Sequence, residues 1–346
     1  FELGDIEMAR EPSDLILADL IATRAERNSD FPVLTFECAG KEDEVRSFAE
    51  LYERGNRIAA DLIGRGLQRG DRFALMMRNH PEFVETMIAA SISATVLVPI
   101  DPRTKGEKLA YTLRNAGCKG ILLADYNLAQ LEEIRGSLPD LSFSLALETG
   151  EDEAPALGDF EGVDSLGEVL DRPAETVDIR LESDEDPLQI IYTSGTTGDP
   201  KGVVMQNGRY GGFSMLGRMI FQFAPDEKLY TGLSLTHGNA QAVTLSAALC
   251  IELPAVISRR FTKSRLWDIC RRHGCTTFSQ LGGMATAIYS EPAKDNDADN
   301  PVRMLTSAGM PHAIWEAFEK RFDLKIFEWY GAVEGGLAFK PIGQGP

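Results

Sequence analysis

The sequence predicts an α/β protein with two lobes of mainly parallel sheet flanked by helices, and three observations lead there. Short apolar runs alternate with segments of helical period along most of the chain, which is βαβ order. Runs such as 95–100 and 120–124 have the apolar content of strands covered on both faces, as parallel strands are. A length of 346 residues exceeds what one hydrophobic core usually serves.

The elements follow in order. A helix starts at Ser47, with Phe48, Leu51, Tyr52, Ile58, Ala59 and Leu62 at helical spacing and Ser47 and Glu50 in capping-box form. Gly64 and Gly66 end it. After the Gly70-Asp71 turn come a strand over 72–77, a helix over 81–90, a strand over 95–100, a helix over 107–115 and a strand over 120–124. Residues 148–186 are rich in Asp and Glu and interrupted by Pro155 and Pro173, so they read as an acidic surface connection, a solvated spacer. Alternation resumes with a strand over 188–192, a glycine-rich loop, a strand over 229–235, a helix over 240–250 and a strand over 255–257. A helix over 263–272, strands over 276–280 and 302–306, a helix over 311–322 opened by Pro311 and a strand over 324–329 complete the series.

Composition excludes several classes. Charged residues at 25% and hydrophobic ones at 43% are the balance of an ordinary globular protein. A net charge of -18 argues against a nucleic-acid binder, since phosphate backbones are held by clustered Lys and Arg. It leaves a small phosphate ligand open, because a few backbone amides and one or two cations suffice for that. Cys38, Cys118, Cys250, Cys270 and Cys275 are an odd, scattered set, unlike a secreted disulfide framework, and point to a reducing cytoplasm. Cys270 and Cys275 lack the further ligands a zinc site needs and read as buried thiols. The longest apolar run, 87–100, is broken by Ser91 and Ser93 and falls short of a membrane span, and no leader pattern opens the chain. Phe1 in place of Met leaves room for an upstream piece.

The chemistry concentrates after the strand ending at Tyr192. Gly195, Gly198 and Gly202 let backbone amides approach an anion; Thr193, Ser194, Thr196 and Thr197 offer hydroxyl donors; Lys201 supplies a mobile positive charge. This is a phosphate cradle, distinct from a Walker A loop, since Pro200 precedes Lys201 and no Gly-Lys-Ser/Thr ending exists. No G-x-G-x-x-G opens a helix here either.

The string Tyr192-Thr193-Ser194-Gly195-Thr196-Thr197-Gly198-Asp199-Pro200-Lys201-Gly202 closely resembles the signature of the acyl-adenylate-forming superfamily, which includes acyl-CoA ligases, peptide-synthetase adenylation domains and firefly luciferases. The resemblance runs over nearly the whole chain. Leu235-Thr236-His237-Gly238-Asn239-Ala240-Gln241 resembles the segment in which a histidine gates the acyl pocket. Ser307-Ala308-Gly309-Met310-Pro311 resembles the loop along the adenine, and Tyr330-Gly331-Ala332-Val333-Glu334 the motif whose tyrosine stacks on adenine and whose glutamate helps hold magnesium. The neighbourhoods of Asp299 to Arg303 and Glu328 to Gly336 look most like the crotonobetaine/carnitine-CoA ligase-like and fatty-acid-transport-type branches.

The resemblance implies the layered αβαβα large domain of acyl-CoA synthetases: one lobe over about 72–220, containing the acidic connection 148–187, and a second over about 12–68 with 228–338. It implies ATP-dependent activation of a carboxylic acid to acyl-AMP, then thioesterification to coenzyme A; loading of a carrier protein and non-catalytic acyl or nucleotide binding are the alternatives. Thr196, Lys201 and Glu334 would carry the adenylation chemistry, with Glu334 as magnesium ligand. Thr193, Ser194, Gly195, Thr197 and Gly198 would bind the phosphates, and Ala308, Gly309, Met310, Pro311, Glu328, Trp329, Tyr330, Gly331 and Val333 the rest of ATP or AMP. His237, Asn239, Gln241, Met284 and Ser307 would line the acyl pocket. Asn239 and Gln241 have helix capping as their plainer reading, and Trp329 the end of a core strand. Val333 stands where relatives carry threonine, so a phosphate-facing hydroxyl is lost, at a cost of about 1.5–3 kcal/mol. The family's ribose-binding aspartate, hinge and mobile lid domain with its adenylation lysine do not follow, so the expectation is a large N-terminal portion that adenylates slowly by itself. A homodimer is left open.

Overall fold

The computed structural model describes residues 11–151, 154–193, 199–213 and 215–346. Its strands in chain order are β1 (Leu34–Glu37), β2 (Glu44–Arg46), β3 (Arg72–Met76), β4 (Val96–Pro99), β5 (Cys118–Ala124), β6 (Phe143–Leu147), β7 (Val163–Ser165), β8 (Pro187–Thr193), β9 (Lys201–Gln206), β10 (Leu229–Thr231), β11 (Ala255–Ser258), β12 (Thr277–Leu281), β13 (Met304–Ala308), β14 (Lys325–Gly331) and β15 (Leu337–Phe339). One sheet has the order β15-β14-β13-β12-β10-β11-β1-β2 and is parallel except at its two edges, where β2 opposes β1 and β15 opposes β14. The other has the order β7-β6-β5-β3-β4-β8-β9 and is parallel except between β8 and β9.

Successive strand side chains point to opposite faces, and that alternation sorts the core into layers. On β3, Phe73 and Leu75 enter a central core, whereas Ala74 and Met76 enter an outer one. On β14, Phe327 and Trp329 face the central core and Ile326 an outer one beyond the second sheet. One core thus lies between the sheets and one outside each, giving the five layers αβαβα.

The middle layer contains the helices Leu17–Arg27, Phe48–Gly64, Pro81–Ser93 and Ser246–Ile251, which all contribute to the central core. Every residue of Pro81–Ser93 is buried, as expected of a helix apolar around most of its girth and pressed from several sides. Each of its enclosed Phe83, Met87, Ile88 and Ile92 side chains contributes on the order of 1.5–3 kcal/mol. Gly55 admits this helix: a Cβ there would stand 2.7 Å from Ile88 Cγ2. The helix carries two buried carboxylates, and both are paired. Glu85 bonds Arg46 and Arg54 at 2.7 Å each, and Glu82 lies 3.2 Å from Arg54.

Four expectations need correction. The acidic stretch is more than a spacer, because Val163–Ser165 pairs with β6 as an edge strand and the helix Leu166–Leu170 buries Leu166, Val169 and Leu170. Its polar groups are tied down as well, with Arg172 on Asp61 at 2.7 Å and the Val177 amide on Asn56 at 2.8 Å. The strand expected over 302–306 occupies Met304–Ala308, since Val302 is held in a turn by Asn300 Oδ1. The one expected over 229–235 ends at Thr231, and the helix over 240–250 opens as a π-helix, Ala240–Leu245. Among the described residues no helix is long and apolar enough to cross a membrane. All five cysteines are buried and free of disulfides.

Candidate active site

Strand order reverses at β10, with β11 on one side and β12 on the other, and again at β3, between β4 and β5. At such a point the loops leaving the carboxyl ends part in opposite directions and open a crevice. In the first sheet the loop after β10 brings His237, Gly238 and Asn239 to that crevice; in the second, Pro99 ends β4, Ile100 and Asp101 follow it, and Thr193 ends β8. Two adjoining cavities result. The smaller, about 350 Å³, is lined by Ile100, Asp101, Lys108, Thr193 and Pro200 among others. The larger, about 630 Å³, is walled by Met205, Arg209, Phe213, Leu216, Asn239 and Trp329 among others. His237, Gly238 and Val333 line both and form the threshold between them. Gly238 allows the closeness there, because a Cβ would sit 3.2 Å from Val333 Cγ2.

Asn79, just past β3, fixes the loop that carries His237. Its amide nitrogen donates to the carbonyls of Leu233 and Ser258 at 2.8 Å each, and its oxygen accepts from the Leu235 amide at 2.8 Å. One buried side chain thereby ties the carboxyl end of one sheet to the switch-point loop of the other. Sequence reading missed this residue. The only local signal is a polar side chain directly ahead of the His80-Pro81 helix start.

The cradle string flanks a hairpin. Thr193 pairs with Lys201 and Tyr192 with Gly202 in the antiparallel register of β8 and β9, while Ser194, Gly195, Thr196, Thr197 and Gly198 lie outside the described residues. Gly202 is required for this register, since a Cβ would meet Ile190 Cγ2 at 2.7 Å. Lys201 is exposed.

The remaining candidates separate into those that reach the cavities and those that do not. Ala308, Trp329, Gly331 and Val333 line the larger cavity, and Trp329 also belongs to the central core, so its two readings coexist. Asn239 lines it too and makes no capping bond; its carboxamide has no partner among the described residues. Gln241 is fully buried, bonding Gln189 at 2.6 Å and the Leu235 carbonyl at 2.8 Å, and is absent from the walls of either cavity. Ser307 is likewise enclosed, donating to the Gly309 carbonyl at 2.9 Å, and Met284 packs against the central core. Gly309 adopts a left-handed φ of 79°, and Met310 and Pro311 follow it into the next helix. Glu328 holds that turn, accepting from the Met310 amide at 2.8 Å while pairing with Lys340 at 2.9 Å. Burial opposes the charge on Glu328, but the Met310 N–H and Lys340 outweigh it and keep the carboxyl below its usual range. Tyr330 is 65% exposed beside the larger cavity, a ring free to stack on a flat partner.

Asp101 in the lining of the smaller cavity is held below the usual carboxylate range, first by its bonds to Arg103 at 2.6 and 3.0 Å. Glu334 is exposed on the loop next to Val333. No group of three or more potential ligands converges among the described residues, so Glu334 would be a lone carboxylate donor. That fits magnesium, which keeps waters and phosphate oxygens as its other ligands.

Two doubly wound sheets that turn their carboxyl ends to one divided crevice define an α/β protein with its cavities at the switch points. The chain belongs to the AMP-binding enzyme family, which it matches over residues 21–344. It is 28% identical over 306 residues to long-chain fatty acid transport protein 6 of Mus musculus, covering 86% of this chain and 48% of that protein. It is also 28% identical over 339 residues to the medium/long-chain-fatty-acid–CoA ligase FadD6 of Mycobacterium tuberculosis, covering 96% and 53%. The chain thus spans about half the length of the curated relatives it matches. The anthranilate CoA ligase AuaEII in complex with anthranoyl-AMP has the same fold, with a TM-score of 0.82 at 19% identity over 92% of this chain and 60% of that one.

Proposed function

We propose that the protein activates a carboxylic acid with ATP to an acyl-adenylate and passes the acyl group to the thiol of coenzyme A. The observation that carries this reading is the pair of cavities meeting at His237, Gly238 and Val333, each framed by motif residues from a different sheet. A carboxylate resists attack by a thiol because its leaving group would be oxide, whereas AMP leaves readily. The acid would lie in the larger cavity and bring its carboxylate to the threshold, where it meets the α-phosphate. Thr193 and Lys201, facing each other across the hairpin with the cradle between them, would grip the outer phosphates. Tyr330 would stack on adenine, with Gly309 shaping the turn alongside. Magnesium held by Glu334 would offset negative charge on the phosphates. The smaller cavity, lined by Lys108 and Asp101 among others, would admit the thiol.

The test is a panel of carboxylic acids assayed for ATP-dependent hydroxamate formation and pyrophosphate exchange, using the longest polypeptide that contains this chain. Acid-dependent exchange supports the reading, and coenzyme A-dependent AMP release separates it from carrier-protein loading. Absence of exchange with every acid would leave a binding protein without catalysis, the role that Val333 favours.

A further inference from the structure

A thiol that enters the smaller cavity near neutral pH still carries its proton, since a free thiol ionises at about 8.5 and only the thiolate is a strong nucleophile. Few groups in the lining can accept that proton. The titratable ones are Asp101, Lys108, Tyr192 and His237. Lys108 and, on the far side of the threshold, Arg209 offer N–H donors and no acceptor. Burial pushes Tyr192 up to about 12, and its hydroxyl already donates to Asn115 Oδ1 at 2.6 Å. Asp101 accepts from Arg103 through both oxygens, which with His237 keeps it below the usual carboxylate range, so it is charged at neutral pH and too weak a base for a thiol. Glu334, one residue past Val333, lines neither cavity. His237 is left. Its ring is exposed, lines both cavities and has no hydrogen-bond partner among the described residues. Its backbone is fixed, by its amide on the Ser234 carbonyl at 3.0 Å and by the bond of the Leu235 amide to Asn79. A held backbone and a free ring at the threshold are what a group exchanging protons with a ligand requires.

We infer that His237 is the general base of the thioester step, taking the thiol proton in the smaller cavity, and that Asp101, anchored by Arg103, acts through it by stabilising the imidazolium that results. This rests on the thioester step proposed above and assigns its proton. The S–H bond breaks toward an imidazole nitrogen, and the sulfur electron pair forms the bond to the acyl carbon. The bond from that carbon to the phosphate oxygen breaks with its electrons going to AMP, and the imidazolium then releases its proton to water. Because the ring lines both cavities, walling the acid and taking the proton are compatible tasks.

The experiment follows single turnovers of thioester formation between about pH 7 and 9, with coenzyme A and the preformed adenylate of the acid that gives the fastest exchange in the panel above. The longest polypeptide containing this chain is compared with its His237→Gln and Asp101→Asn variants, and pyrophosphate exchange and thermal melting are recorded for each. Near pH 7, His237→Gln should slow thioester formation about a hundredfold more than it slows exchange. That deficit should shrink about tenfold per pH unit up to about 8.5, because the thiol then ionises without help. Asp101→Asn should show a deficit of about tenfold that closes in the same way. If His237→Gln does not fold, the Asp101→Asn profile decides. A deficit that stays constant with pH, or an equal loss in exchange and thioester formation, overturns the inference and leaves acid activation standing. Parent-like rates in Asp101→Asn overturn the part assigned to that carboxylate. Exchange by the parent without any coenzyme A-dependent step removes the thioester step and this inference with it, whereas absence of exchange with every acid removes the acyl-activating reading itself.

Discussion

Asn79→Leu removes three hydrogen bonds at once and leaves two carbonyls and one N–H buried without partners, at Leu233, Ser258 and Leu235. Leu235 and Ser258 are fully enclosed and Leu233 is 6% exposed, so water does not replace the lost amide unless the loop moves. An orphaned buried group costs about 1–3 kcal/mol, and carbonyls are somewhat more tolerant than N–H groups, so about 3–6 kcal/mol is expected in total. Asn79→Asp is the sharper control. It keeps the acceptor for the Leu235 amide but sets carboxylate oxygen against two carbonyl oxygens, so it should not restore stability at neutral pH. Urea unfolding followed by tryptophan fluorescence gives the stability, and calorimetry with an acyl-sulfamoyl adenosine gives the effect on the site. Since the same bonds orient the His237 loop, affinity should fall along with stability. Variants within about 1 kcal/mol of the parent and with unchanged affinity would refute the claim that this side chain joins the two sheets at the crevice.

Other expectations follow from single contacts. Val333→Thr, nearly isosteric at the threshold, should raise pyrophosphate exchange about tenfold or more if the hydroxyl meets phosphate; an unchanged rate would show that the position needs only bulk. Gln241→Leu should lower stability by about 1–3 kcal/mol in urea unfolding, because Gln189 loses its partner, and should leave the order of preferred acids as it was. Burial, with the Glu85 carboxylate adding to it, pushes Glu82 up to about 7. An acid whose folded value is raised stabilises the fold fully below its unfolded value of about 4.3, and that contribution fades as pH climbs through the folded value. Unfolding free energy should therefore decline from the first value to the second in the parent, and Glu82→Gln should flatten that slope; an identical slope in both proteins would contradict the assignment.

The sequence makes some of this legible and hides the rest for physical reasons. The helix from Ser47 is visible because its capping box and amphipathic face are both local, and the capping box is present in the fold. The order of parallel strands follows from alternation, but β9 escapes because it is an edge strand with Val204 exposed, which gives no continuous apolar run. The helix Gly282–Tyr289 escapes because two glycines open it. Motif strings place Ala308, Trp329, Val333 and His237 near one another in chemical terms, and the fold brings these four to one cavity. Gln241 and Ser307 share those strings yet turn into the core, a choice of facing that spacing alone does not encode. Asn79 is invisible from sequence because two of its partners lie 154 and 179 positions away.

The fully enclosed helix Pro81–Ser93 has a further consequence. Because none of its positions meets solvent, a change of size at one of them has to be absorbed by neighbours on several sides, including segments distant in the chain. Sequence drift in the two halves of the molecule is thereby coupled: grafting one half from a divergent relative would mismatch the shared spine, whereas exchanging loops at the rim of the crevice would not. Changes at the crevice are accordingly easier to reach at the rim than by recombining the halves.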